Sequence, residues 1–331
     1  RLPPLLFVAS VQRAVARHGD EPLAAYYPVP GGEQPEIDER FPEVYRVFCL
    51  AHRDELADLQ RGRVYQMNEV ARSAQVALGL GVLTETHPDR QLAVVDIGAG
   101  AGLGLYLDRY RYVLSGGPRW GPTDSTVEIA CQVSGGGLRP PAPRLGAIAH
   151  RAGCDLNPID LADPEERAWL LACAPPEAGA LRRLSQAMEV ARAGGATVLR
   201  GDAGLLLADL VRAAPSRLLV AVVDSYTAVF FDNARLSRLR ETISRLGAER
   251  DLAWVSLDPL VPLGSRARRT VQGLEAPPDL IDENRRGGVF AALSLQTHLG
   301  GRVRTRLLAA AHPSGTLMTW LDPGEDTAAA R

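Results

Sequence analysis

The chain has 331 residues, 37 of them basic and 39 acidic, for a formal net charge of −2. That length fits one large domain or a domain with a substantial appendage, and a composition of 46% hydrophobic and 23% charged residues excludes wholesale disorder. The near-neutral balance argues against a nucleic-acid or anionic-membrane binder. No apolar run reaches the roughly 18 residues of a spanning helix, and no signal-peptide pattern is present.

Every basic residue is Arg. GC-rich codon usage accounts for this, and it removes Schiff-base, general-base and P-loop lysine chemistry. Cysteines at 49, 131, 154 and 173 and the six histidines form no Cys-x-x-Cys, His-x-x-x-His or His-Glu-x-x-His spacing. No metal site and no disulfide framework is therefore expected, and a reducing cytoplasm is the expected compartment.

In chain order, residues 1–88 read as a helical appendage. An amphipathic stretch (Leu6, Val8, Val11, Val15) leads into loop chemistry at Tyr26–Gly32. Apolar residues at three- and four-residue steps predict a helix over 42–59 and a second over 66–83, bounded by His87-Pro88-Asp89. From 89 to 325 the pattern becomes alternating strands and helices. Strands are expected at 92–97, 147–155, 196–199, 217–223, 252–257 and 289–295, and helices at 164–193, 203–213 and 233–247. Such alternation means an α/β fold with a mostly parallel sheet covered on both faces. A Gly/Pro-rich segment at about 115–146 reads as a β-hairpin insert, and 303–311 with 316–320 as an antiparallel pair across His312-Pro313-Ser314-Gly315.

The most informative stretch is Asp96-Ile97-Gly98-Ala99-Gly100-Ala101-Gly102, between an apolar strand and a helix. The dinucleotide fingerprint fails, because its third glycine position is Leu103 or Leu105, and no Gly-Lys-Ser/Thr follows. An acid two residues before Gly-x-Gly-x-Gly resembles the first motif of class I, Rossmann-like S-adenosylmethionine-dependent methyltransferases. That resemblance runs from Leu92 to Leu321 and implies a Rossmann-like sheet with an antiparallel edge strand and S-adenosylmethionine as cofactor. It places Asp96, Gly98, Gly100 and Gly102 at the ligand, Asp155 on the ribose hydroxyls, and Asp202 with Ala203 at the adenine. Asp224, Ser225 and Tyr226 follow the fourth strand near the reactive methyl. The alternative for Asp155 is a helix N-cap or turn residue, and for Asp202 the N-cap of the 203–213 helix.

A closer resemblance rests on Arg40-Phe41-Pro42-Glu43, Gln66-Met67-Asn68-Glu69-Val70, Leu107-Asp108-Arg109-Tyr110, Asp155-Leu156-Asn157-Pro158 and His312-Pro313-Ser314-Gly315. These look like markers of an uncharacterised domain family of GC-rich bacteria. Where a His-Ser pair is expected after the fourth strand of that family, this chain has Asp224-Ser225.

Methyl transfer needs a base only when the acceptor loses a proton as it attacks. Asp224, His298 and His312 are the catalytic candidates, each at or near a predicted strand end. Asn68, Glu69, Arg109, Tyr110 and Tyr226 are expected to line the substrate cavity beneath a lid made of the appendage and the insert. Arg266, Arg268, Arg269, Arg285 and Arg286 read as a solvated loop. The absent Asp/Asn-Pro-Pro-Tyr signature argues against nucleic-acid bases as acceptors.

Three readings follow. The first is a cytoplasmic methyltransferase of a small molecule that touches neither nucleic acid nor membrane, with a homodimer left open. The second is an inactive S-adenosylmethionine-binding regulatory or scaffolding protein, which the residue at 224 keeps in play. The third, an aminopropyltransferase, lacks the acid cluster a polyamine requires.

Overall fold

The computed structural model describes residues 2–135, 142, 144–259, 270–285 and 291–321. Two compact units are formed, one of residues 1–70 and 159–193, the other of 71–158 and 194–331.

The first unit is helical: α1 (Pro3–Arg17), α2 (Phe41–Ala51), α3 (Arg53–Gly62), α5 (Pro164–Ala172) and α6 (Ala178–Gly194). Leu6 and Ala9 of α1 pack with Leu59, Trp169 and Cys173, and Val11, Ala14 and Val15 pack with Leu23, Phe48 and Leu56. Burying these apolar stripes is what holds helices this short in place. The helix expected over 42–59 breaks at His52, where φ is −104° and ψ is 19°. The one expected over 164–193 breaks at Pro175-Pro176, because Pro cannot continue the hydrogen-bond ladder.

The second unit is a sheet with helices on its faces. Its strands are β1 (Leu92–Ile97), β2 (Arg111–Leu114), β3 (Arg119–Trp120), β4 (Glu128–Ser134), β5 (His150–Asp155), β6 (Val198–Arg200), β7 (Leu219–Ser225), β8 (Leu252–Pro259), β11 (Ala291–Leu299), β12 (Arg302–Ala311) and β13 (Leu317–Trp320). A separate two-stranded ribbon pairs β9 (Thr270–Val271) with β10 (Leu274–Glu275), and the helices are α4 (Arg72–Thr86), α7 (Ala203–Ala213), α8 (Asn233–Glu249) and α9 (Pro278–Arg285).

Among the described residues the sheet order is β3-β2-β4-β13-β12-β11-β8-β7-β1-β5-β6. From β8 to β6 all pairs are parallel. This is the parallel α/β sheet that the alternating pattern predicts, in the Rossmann-like arrangement that the glycine-motif resemblance implies. The antiparallel strand is not at an edge, however. β11 runs antiparallel to both β8 and β12, and five strands continue the sheet beyond it.

Nor is the 115–146 segment a free flap. β2 and β3 do form a hairpin across Ser115–Pro118, but β4 pairs in parallel with both β2 and β13 and so joins the sheet. Residues 136–141 and 143 lie outside the described residues, as do Arg266, Arg268, Arg269 and Arg286.

One face of the parallel strands packs on α7 and α8 through Val95, Ile97, Val220, Val222, Leu207, Val211, Leu239, Ile243 and Trp254. On the other side α4 touches β7, β8, β11 and β4. Every residue of α4 from Arg72 to Leu83 is buried, as expected of a helix without a solvent stripe. The helix expected at 66–83 is thus part of the sheet unit. Gly79 permits its close approach, since an added Cβ would sit 2.9 Å from Cγ1 of Val255. Among the described residues no helix is long and apolar enough to cross a membrane.

Arg250, just after α8, ties the end of α7 to the start of β7. Its guanidinium donates to the carbonyls of Val211, Ala214, Pro215 and Leu218 at 3.0, 2.8, 3.0 and 3.0 Å. Arg250→Met keeps the alkyl stem and strands these acceptors. We expect a loss of about 2–3 kcal/mol in urea denaturation with the native circular dichroism preserved.

Candidate functional site

At the carboxyl end of β1 the chain turns through Gly98, Gly100 and Gly102, with φ of +75°, +56° and +73°, the left-handed region that a Cβ disfavours. The loop is braced from both neighbouring strands. The N–H groups of Gly98 and Ala99 donate to the Cys154 carbonyl at 2.8 and 3.1 Å, and the Thr227 hydroxyl donates to the Ile97 carbonyl at 3.0 Å. A Cβ at Gly98 would fall 1.9 Å from that hydroxyl oxygen. Gly100 donates its N–H to Oδ2 of Asp155 at 2.9 Å, and Asn157 donates to Oδ1 at 2.7 Å.

Three carboxylates surround this loop. Asp96 is 7% exposed and lies close to Gly104, where an added Cβ would be 2.7 Å from its Oδ2. No hydrogen bond to its carboxylate is found among the described residues. Burial, together with the negative charges of Asp224 and Asp155, pushes its carboxyl up to about 8. Asp224 is fully buried. Its Oδ1 accepts from the N–H groups of Thr227 and Ala228 at 3.2 and 3.1 Å, and its Oδ2 from the Ser256 hydroxyl at 3.2 Å. Expected as a catalytic base, Asp224 is committed to holding the turn after β7.

Asp202 caps α7 by accepting from the Gly204 N–H at 2.7 Å, and its Oδ2 lies 3.6 Å from the Arg235 guanidinium. Ala203 is packed in the core beside Leu207 and Ile97. Ser225 ends β7 and Tyr226 follows at φ +59°. The Tyr226 hydroxyl is buried with no partner among the described residues, and burial pushes it up to about 12.

The Arg72 guanidinium stacks 4.1 Å over the Tyr226 ring and donates from Nε to the Pro313 carbonyl at 3.1 Å. Gln75 donates to the carbonyls of His312 and Leu317, both at 3.0 Å. Gly315 abuts the Ala71–Arg72 peptide, where a Cβ would lie 2.2 Å from carbon. The start of α4 therefore holds the His312 turn beside Tyr226. His312 is exposed, with Nδ1 2.8 Å from the Ser314 hydroxyl. Arg72, Gln75, Thr227 and Ser256 are the contributors that sequence reasoning missed. An arginine opening an apolar helix was the one signal of them.

His298, Arg109 and Tyr110 lie elsewhere in the sheet unit. His298 pairs with Leu252, the first residue of β8. β11 runs antiparallel, so its carboxyl end points to the opposite edge of the sheet from the glycine loop. There His298 is buried against Gly247, and burial lowers its pKa. Arg109 and Tyr110 line a different cleft of about 360 Å³, together with Trp120, Arg144 and Leu145. The 3₁₀ segment Leu103–Arg109 carries the chain away from the glycine loop to the segment entering β5, where Asp108 accepts from the Ile148 N–H at 3.0 Å. Tyr110 is fully buried and donates its hydroxyl to the Leu103 carbonyl at 2.8 Å. Asn68 and Glu69 belong to the helical unit, where Glu69 lies 3.6 Å from Arg183.

A carboxyl raised from 3.8 to about 8 binds its proton more tightly in the folded state. Its protonation therefore favours folding below the ordinary carboxylate range, and that contribution is lost as pH rises towards 8. Asp96→Asn should flatten this dependence. Its melting temperature should gain on the unsubstituted protein steadily from pH 5 to 8.5 by differential scanning calorimetry, and parallel curves would show that Asp96 ionises normally.

No curated relative matches the sequence. Among solved structures the chain is similar to the sugar N-methyltransferase KedS8 of a Streptoalloteichus species, at 14% identity and TM-score 0.26 over 78% of this chain and 72% of that one. It is also similar to CalS10, an amino pentose methyltransferase from Micromonospora echinaspora solved with bound S-adenosylmethionine, at 15% identity and TM-score 0.23 over the same shares. The profile of one bacterial family matches residues 1–320, and the chain accordingly belongs to the family described as uncharacterized protein conserved in bacteria (DUF2332).

Proposed function

We propose that the sheet unit binds S-adenosylmethionine at the glycine loop and that the protein is a methyltransferase of a small molecule. The observation that carries this reading is the buried, unpartnered Asp96 carboxylate beneath a loop whose Gly100 N–H holds Asp155. Three acids at one strand edge favour a ligand with an amino group and a sulfonium, and they repel a dinucleotide pyrophosphate. A carboxylate offers about four acceptor positions. Asp155 uses two of them within the chain, which leaves capacity for both ribose hydroxyls. Asp202 keeps Oδ2 clear of its cap and is our candidate acceptor for the adenine amino group.

When bound, S-adenosylmethionine supplies an electrophilic methyl. The residues of this chain bind it, shield it and orient the acceptor. Asp224 is fully buried and accepts from Thr227, Ala228 and Ser256, so we assign it to holding the turn after β7 and not to meeting the acceptor. Of the candidate bases, His312 alone is exposed at the carboxyl edge, and Ser314 orients its ring. Tyr226, steered by Arg72, is our candidate for positioning the acceptor. The second reading, binding without transfer, is favoured by one specific observation: the residue where a His is expected is an Asp sealed in the core.

Calorimetry with S-adenosylhomocysteine and NAD tests the proposal. We expect S-adenosylhomocysteine to bind with a Kd of about 1–100 μM and NAD not to bind; the reverse would overturn it. Gly100→Val should abolish binding in a folded protein, and Asp155→Ala should weaken it by about 1.5–3 kcal/mol.

Asp202→Ala separates two roles. Loss of the cap costs about 1 kcal/mol of stability, whereas an adenine contact also lowers affinity for S-adenosylhomocysteine. Unchanged affinity in calorimetry would make Asp202 a cap alone.

A further inference from the structure

The helical unit holds a cluster that its sequence spacing conceals. His18 follows the last residue of α1, His52 sits at the break between α2 and α3, and Glu55 lies in the first turn of α3. Nε2 of His18 is 2.9 Å from Oε2 of Glu55, and Nδ1 of His52 is 3.7 Å from the same oxygen. One ligand atom from each residue lies within 4.8 Å of the other two.

A tetrahedral zinc ion with bonds of about 2.0–2.1 Å sets its donors about 3.3 Å apart. The two measured edges bracket that spacing. The other ring nitrogen of His52, Nε2, lies 2.7 Å from Oε1 of Glu21. A carboxylate behind a ligating imidazole is the usual means of fixing its tautomer and orientation. Arg17 donates to Oε1 of Glu55 at 3.0 Å, which leaves Oε2 as the ligating oxygen. The two imidazole rings lie 4.2 Å apart, and Phe48 packs 4.4 Å from His52 on an apolar side.

We propose that His18, His52 and Glu55 hold one zinc-class divalent ion, with Glu21 orienting His52 and water in the fourth position. The mixed imidazole and carboxylate set suits Zn²⁺ and its neighbours. Ca²⁺ and Mg²⁺ prefer all-oxygen shells. Such an ion clips the end of α1 to the α2–α3 junction. Its ligands come from two segments more than thirty residues apart, so short-range motif spacing does not detect it. The His-x-x-Glu step does occur twice, as His18-Gly-Asp-Glu21 and His52-Arg-Asp-Glu55.

The test uses the full chain without a histidine tag, stripped with a chelator and titrated with Co²⁺ and then Zn²⁺. We expect one Co²⁺ per chain with the intense visible absorption of a four-coordinate ion, its displacement by Zn²⁺, and a Zn²⁺-dependent rise in melting temperature. Glu21→Gln should fold normally and weaken Zn²⁺ affinity about 10–100-fold, and the His18→Ala/His52→Ala pair should abolish stoichiometric binding. Substoichiometric or six-coordinate Co²⁺ would overturn the proposal. So would binding that survives the double substitution, or affinity unchanged in Glu21→Gln.

Discussion

Three carboxylates share the edge where β1, β5 and β7 end, and the local structure is arranged around their mutual repulsion. Each is handled differently. Asp224, fully enclosed, is met by two backbone N–H groups and a hydroxyl. Asp155, at the rim, is met by Gly100 and Asn157. Asp96 has burial without a matching donor, and its proton affinity rises accordingly. A buried carboxylate left in that state is costly unless a cation or a proton accompanies it. The glycine loop is tied into the same arrangement, because Gly100, at positive φ, donates its N–H to Asp155.

The second organising element is α4. A helix buried along most of its length has no solvent face on which to place polar groups, yet it carries Arg72 and Gln75. Both are spent on the far end of the chain, on the carbonyls of Pro313, His312 and Leu317. The helix that packs against β7, β8 and β11 thus also fixes the turn that bears His312. Packing and site are coupled through one element, and Gly315 and Gly79 are the two positions where the missing side chain allows the close approach.

The helical unit draws on two stretches of chain, before and after the glycine-loop strand. Its apolar clusters join α1 to α3 and α5 on one flank and to α2 and α3 on the other. Arg13, nearly buried in α1, meets both carboxylate oxygens of Glu165 at 2.9 and 2.7 Å. Both contacts come from the single nitrogen Nη2, and this charge-assisted pair gives direction to a packing that hydrophobic burial alone leaves free to slide.

The fold class, the parallel strands and the glycine loop were legible in the sequence, because strand and helix periodicities and the Asp96–Gly102 pattern are local properties. The methyltransferase resemblance puts Asp155 near that loop, and the structure has Gly100 donating to its carboxylate. What sequence spacing leaves undecided is direction and partnership. His298 ends a strand as expected, but an antiparallel strand ends at the other edge. Arg109 and Tyr110 follow the loop closely in sequence, but a 3₁₀ segment carries them to another cleft. Asp224 carries an ionisable group, and only the enclosed turn reveals that its oxygens are already engaged. The sequence by itself determined that a glycine-rich turn flanked by Asp96 follows an apolar strand. The tertiary structure decided which acids remain unsatisfied and which histidine faces solvent at that edge, because hydrogen-bond saturation and strand polarity are set by residues far apart in the chain.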